Sequence, residues 1–580
     1  MMGFIGCNTD TTPDIPEDLM ITHSDTVQIN NLARLCKVWG FVKYTHQAFL
    51  TGELCWDDEL LSLISDIISA HGADVNDILL EWFLSLGDDG YDRSFDMRVS
   101  PELIHILSDT DWINRDYLGE DLAAALSSFI GSDLVGGSFA PVYFETGGIV
   151  TRFTNQDPHL GMDYGDYRYR LLGLFRLWNV IEYYFPHKDI LDVEWQSLLT
   201  YFIPHMLEGT DRLSYEKTLA ALASHLQDAN VSLWNIEDGM PIVANIMNEL
   251  YGIYVPPALF VEIGGELMVA GVLEDDNGEG PLMTGDVVLR ANGIAIGEAM
   301  RDKLQYVSYP RDEVALNLLL RGYLFFTPLR QTCSNTPMEI DILRDGEEVN
   351  LTVDELVYFG LLHDIMERQF EGPMVQHSSH KILDNNIGVI HHRMLSLSDE
   401  NMFLVMRYLA DTDGLIIDMR QNLGFRQSNI LEIERWLFNQ RVPYRSNMYP
   451  SRHIPGAFIG SGPYYIGNEL EEFNYEKDVI ILMNHNTIGF SEFVIMALRN
   501  GDNVTVMGSN SLGGAPWPSV VSLPGGINMS FTGIGIFGSE GEQIQRVGLS
   551  PDIYVHRTKE GIIEFRDELM DAAIAFLIEQ

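Results

Sequence analysis

The sequence predicts a multi-domain α/β protein, and three observations carry that prediction. The N-terminal part repeats apolar residues at helical spacing, and the middle alternates apolar and polar residues around two tight turns. From Lys381 onward, short and wholly apolar runs alternate with amphipathic helices. A chain of 580 residues has length for about three domains, each with its own core.

Composition narrows the classes of function. The hydrophobic share of 46% is that of a globular protein, and no apolar run is long enough to span a bilayer. With 36 basic against 84 acidic residues the net charge is −48, which repels nucleic acid and anionic lipid alike. Neither is expected as a partner. Cys7, Cys36, Cys55 and Cys333 are too scattered for a disulfide framework or a zinc site, and no cofactor or metal is expected.

Residues 1–26 read as a polar tether. Phe4-Ile5-Gly6 directly precedes Cys7, which resembles the end of a bacterial lipoprotein signal. The charged and apolar segments that should come first are missing. Cys7 is therefore a lipidation candidate at a clipped signal, implying a cell-envelope protein held to the membrane only through that anchor. Without a signal upstream, the expected location is the cytoplasm.

Residues 27–135 form a helical unit, in which Leu32, Leu35, Val38, Trp39 and Val42 recur at the spacing of a buried helix face. The segment Leu32–His46 is echoed at Leu171–His187, and each copy leads to a further tryptophan, Trp56 or Trp195. This long-period repeat predicts a second helical unit over 166–250, with 136–165 as an irregular linking segment. His46 and His187 read as helix-end histidines, and His225 as a surface helix histidine. In the middle module, 251–355, Asn292-Gly293 and Asp345-Gly346 predict two hairpins. Its Leu282-x-x-Gly285-Asp286-x-Val288 phrase and short strands resemble a PDZ domain. Such a module either takes an extended peptide as an added strand or only packs against its neighbours.

Residues 380–580 are the α/β core. Strands are expected at Asn386–His392, Gly414–Met419, Val479–Met483 and Val504–Met507, with helices at Asp399–Leu409, Ile430–Phe438 and Ser491–Arg499. The turn from Asn484 to Glu492 opens the last of these helices, the layout that presents a nucleophile at a helix N-terminus. Asn484, Thr487, Ser491 and Glu492 here resemble the tail-specific, or C-terminal-processing, serine peptidases, in a tricorn-like branch with N-terminal helical repeats. The resemblance extends to Asp418-x-Arg420-x-Asn422-x-Gly424 and to Gly548-x-x-Pro551-Asp552, and implies a ClpP/crotonase-like peptidase core.

The same resemblance implies a catalytic unit that this sequence lacks. Gly489 stands where the family has its nucleophilic serine, and Gly514 where a lysine base would stand. Asn230, in Asp228-Ala229-Asn230, replaces the histidine that serves the tricorn-like branch. Asparagine cannot take a proton near neutral pH. Phe425 replaces the second glycine of the oxyanion phrase beside Gly424. Ser491, His391 and His392 are fallback candidates, although adjacent strand residues face opposite ways, so at most one histidine can point into a site. Ser491 reads more simply as a helix cap, and Glu492 as complement to the helix N-terminus. The function expected is that of a peptidase homologue that binds extended polypeptide or protein C-termini without cutting them. The alternatives are an active peptidase using displaced residues such as Ser491, and an architectural envelope lipoprotein.

Overall fold

The computed structural model describes residues 23–70, 74–87, 101–130, 140–144, 150–273, 280–321, 329–360, 380–391, 399–420, 428–467 and 475–579. Cys7, His392, Gly424 and Phe425 lie outside the described residues. No described helix is long and apolar enough to cross a membrane, and the described residues hold no cluster of metal-ligating side chains.

Helices His23–Thr45 and Tyr167–Tyr184 run through one large N-terminal core. Leu32, Leu35, Val38, Trp39 and Val42 are all fully buried there, as their spacing requires. The internal repeat is visible as one hydrogen bond made twice. Trp39 Nε1 donates to the Trp56 carbonyl at 2.8 Å, and Trp178 Nε1 donates to the Trp195 carbonyl at 3.2 Å. The copies also touch each other: Asn179 Nδ2 donates to the Cys36 carbonyl, and the Tyr44 and Tyr183 rings meet edge-on at 5.4 Å. His46 directly follows helix His23–Thr45 and caps the start of Gln47–Leu50, whereas His187 lies beyond the end of Tyr167–Tyr184, at the N-cap of Lys188–Ile190; both are buried, at 1% and 2% exposure. Burial alone pushes His187 down to about 3, so it stays neutral and packs against Phe185 and Phe537. His225 is not a surface residue either; it is half-buried at the end of helix Arg212–Ser224, its ring against Phe202.

The segment 136–165 is less irregular than expected, because Val142–Phe144 pairs antiparallel with Thr151–Phe153. Strands of three residues are too short for a period of two to show in sequence. In the middle module, strands run in the order Glu347–Val353, Met338–Arg344, Val287–Ala291, Glu266–Val272, Ala258–Ile263. Asn292-Gly293 (φ 48° and 80°) and Asp345-Gly346 (φ 52° and 84°) take the left-handed pairs that tight hairpins need. The edge strand Ala258–Ile263 is bridged to helix Asp312–Arg321, where Asn317 Nδ2 donates to Glu262 Oε2 at 2.8 Å.

The C-terminal core is a six-stranded sheet, ordered His380–Ile382, Ile387–His391, Gly414–Asp418, Val479–Met483, Val504–Gly508, Ile553–Tyr554. Only the first pair is antiparallel. Ile417, Ile481 and Val506 pack on one face with helices Asp399–Leu409, Ser428–Leu437 and Phe490–Leu498. Ile416, Ile480 and Leu482 pack on the other with helix Glu568–Glu579. Two-sided burial explains why these strands read as unbroken apolar runs.

The units do not follow one another as separate bodies. The hairpin Pro518–Leu523/Ile527–Thr532 pairs through its second strand with Ser232–Asn235, and Val521, Leu523, Met529 and Phe531 enter the N-terminal core. This shared sheet fixes the position of Asn230 against the C-terminal core.

The last helix is tied back by ions. Arg420 holds both Asp418 oxygens (2.9 and 2.7 Å) and both Asp567 oxygens (2.6 and 2.8 Å). Burial alone would raise the Asp418 carboxyl, but Arg420 and His391 hold it well below the usual carboxylate range. A depressed carboxyl stabilises the fold above its unfolded value and loses that effect as pH falls towards the folded one. Asp418→Asn is expected to cost about 3 kcal/mol at pH 7, with the deficit shrinking below about pH 4. Denaturant titrations of both proteins across pH 3–7 check this.

Candidate functional site

The site begins where strand Val479–Met483 leaves the sheet. Asn484 turns the chain by accepting the Asn486 N–H on its side chain at 2.9 Å. Thr487 Oγ1 then accepts the Asn484 N–H and donates to the Met419 carbonyl at 2.9 Å, stapling this turn to the end of the neighbouring strand. Gly489 follows as the N-cap of helix Phe490–Leu498, at φ 62° and ψ −116°. A residue with a side chain would be strained in that conformation. Ser491 is therefore not the cap. It is the second residue of the helix, buried, with its N–H bonded to the Ile488 carbonyl.

Glu492, at 1% exposure, is the centre of the arrangement. One carboxylate oxygen accepts the Ser511 hydroxyl (2.5 Å) and the Gly513 N–H (2.7 Å). The other accepts the Gly489 and Gly514 N–H groups, each at 3.0 Å. Burial raises this carboxyl above its ordinary value, while the four hydrogen bonds pull it the other way. A set of four donors fits the acceptor-only, ionised form. Glu492 therefore does more than complement a helix dipole: it binds the helix-opening turn to the glycine loop. Ser511 carries the tie further, accepting the Leu549 N–H on its hydroxyl at 2.7 Å. Gly548 lies at φ 77°, and a Cβ there would fall 2.3 Å from the Ser511 carbonyl oxygen, so no larger residue fits.

The three positions read as degenerate converge. The Gly489 N–H also reaches the Gly514 carbonyl at 3.0 Å. A Cβ on Gly514 would lie 3.1 Å from Ile488 and 3.3 Å from Asn230 Nδ2. Asn230 itself donates through Nδ2 to the Ala515 carbonyl (2.7 Å) and to Thr532 Oγ1 (2.8 Å). Beneath it, buried Asp228 accepts the Asn230 and Thr532 N–H groups, the Thr532 hydroxyl and Gln545 Nε2.

These groups border a cleft of about 580 Å³ that contains Asn230, Ile488, Gly489, Phe490 and Leu512 in its wall. Ala220 and Ala223 close it from the N-terminal helices, Val307 and Leu318 from the middle module, and Trp517 from the core. No lysine, arginine, histidine, cysteine or carboxylate lines it among the described residues. The one titratable group among the described lining residues, the Tyr306 phenol, is pushed up to about 12 by burial and by Asp302, and stays protonated. Ser308 and Ser530 are engaged with the backbone at Asp228 and Asn230.

His391 does not join this cleft. It pairs in register with Asp418, 3.8 Å from its carboxylate, on the strand face of Val389 that helix Glu568–Glu579 covers. Helix Phe490–Leu498 covers the opposite face. Sequence reasoning assigned no role to Ser511, Asp228, Trp517 or Arg311. A Glu three residues beyond the N-cap is a recognised signal for reaching back to the cap N–H, but nothing local marked the second loop it also holds.

Residues 386–555 match the family model of peptidase family S41. No curated protein matches the chain significantly. Among solved structures, mature CPAF complexed with lactacystin is similar over 71% of this chain and 99% of its own, at 13% identity and a TM-score of 0.52. A second structure of mature CPAF gives 14% identity over 71% and 98% of the two chains, with a TM-score of 0.52. The photosystem II D1 C-terminal processing protease matches 68% of this chain and 96% of its own at 16% identity, with a TM-score of 0.35. The CPAF likeness is one of fold.

Glu492→Gln leaves one oxygen for four donors and turns an amide NH₂ towards the others. It is expected to destabilise the protein by about 3 kcal/mol, against about 1 kcal/mol for Ser511→Ala. The double mutant should cost less than the sum, because both changes break one network. Unfolding midpoints of the three variants give the measurement.

Proposed function

We propose that this chain, whose residues 386–555 carry the core of peptidase family S41, binds extended polypeptide in its cleft and does not hydrolyse it. The observation that carries this reading is the composition of the cleft wall. Acyl transfer needs a nucleophile, a group that takes its proton, and donors for the developing oxyanion. Gly489 brings no hydroxyl, and neither Asn230 nor Gly514 can accept a proton. The nearby amide donors at Gly489, Gly513 and Gly514 are turned onto the Glu492 carboxylate instead. What is left is a concave, mostly apolar wall of the size that holds a ligand. The family relationship supports polypeptide as that ligand.

Losses within one catalytic unit are strongly non-additive, so repairing one member restores little. The protein is expected to show no turnover of fluorogenic peptides or activated esters above a heat-treated control, and no labelling by fluorophosphonates. Gly489→Ser alone should remain inactive, both for want of a base and because of the backbone angle at 489. Adding Ala229→Ser and Asn230→His supplies the missing proton acceptor. Robust hydrolysis by the unmodified protein, abolished by Ser491→Ala, would contradict the reading and make that serine the nucleophile.

A further inference from the structure

The charge around the cleft indicates which part of a polypeptide enters it; this step rests on the binding reading above. A free C-terminus needs cations or amide donors aimed at its carboxylate. Among the described residues, the cleft wall has no cation. Arg311, on the neighbouring middle module, donates to the Ser511, Leu512 and Arg546 carbonyls at 2.5, 3.0 and 3.1 Å, so its guanidinium is committed to holding that module against the core. The amide donors of the glycine loop face away from the cleft onto Glu492. Two buried carboxyls therefore stand behind the wall, Glu492 bonded to the glycine loop and Asp228 to the Asn230 N–H, and none of the described lining residues carries a positive charge. The chain as a whole adds a net charge of −48.

The wall itself suits apolar, uncharged side chains. Ala223, Val307, Leu318 and Phe490 present hydrocarbon, and Trp517 stands between two prolines with its ring braced edge-on by Phe493 at 5.3 Å. We propose that the cleft takes an uncharged, apolar internal segment of a polypeptide and rejects free C-termini. A carboxylate placed there would lose its water and meet like charge, with no partner to offset either cost.

The test uses the full-length protein and two fluorescent peptides with one apolar five-residue segment. One peptide is capped by an amide and continues past the segment; the other ends in a free carboxylate directly after it. Fluorescence anisotropy is expected to show the capped peptide binding and the free acid about tenfold weaker or less. Leu318→Lys, which adds a cation to the wall, should narrow that gap in favour of the acid. Ala229→Trp, which fills the cleft, should abolish binding of the capped peptide. A free acid that binds as well as the capped peptide overturns the inference and leaves the binding reading standing. So does capped binding that survives Ala229→Trp, since the occupied surface would then be another one. If neither peptide binds at any concentration, the binding reading itself fails.

Discussion

Everything at this site hangs on the Glu492 carboxylate. It is buried, and four donors from two successive loops, the turn at Gly489 and the glycine loop from Ser511 to Gly514, converge on it. A buried charge is tolerated only when its hydrogen bonds are complete, so the loops are held as firmly as the charge is. Ser511 extends the tie to Leu549, and the Ser511 carbonyl receives Arg311 of the middle module. One carboxylate thus joins the helix-opening turn, the glycine loop, the Gly548 turn and the neighbouring module. The cleft is the space that this scaffold leaves open.

The same interaction separates scaffold from chemistry. Asn484, Thr487, Glu492, Gly548 and Asp552 each have a structural task here: turning the chain, stapling the strand end, tying loops, allowing close approach, and pairing with Val506. None of these tasks needs a nucleophile or a base. The local fold at Gly489, Asn230 and Gly514 needs no group that takes a proton, and Asn230 has a structural role of its own, donating to Ala515 and Thr532. In the reading proposed above, a cleft that keeps its walls while losing its proton acceptor becomes a holder of polypeptide.

Much of this was legible in the sequence, for reasons that can be named. Val479–Met483 reads as a buried strand because both its faces are covered. Asn292-Gly293 and Asp345-Gly346 read as hairpins because few other pairs tolerate two left-handed residues. The tryptophan repeat was legible because it recurs at equal spacing, and each copy makes the same bond. Non-local facts were not legible. No local pattern says that Ile527–Thr532 will pair with Ser232–Asn235, yet this pairing sets Asn230 beside Ala515. Ser491 resembled a cap because serine favours that position, but Gly489 takes it, with its positive φ. His391 lay close in sequence to a site phrase, while strand parity turns it to the other face of the sheet.

The central claim is that polypeptide occupies this cleft and leaves it uncut. Its most direct test is photo-crosslinking with an apolar peptide carrying a diazirine at its central residue, followed by mass spectrometry of the adduct. The account predicts crosslinks at Phe490, Trp517 and Leu318, on a peptide of unchanged mass after long incubation. Adducts confined to residues outside the cleft, or carrying only peptide fragments, would contradict it.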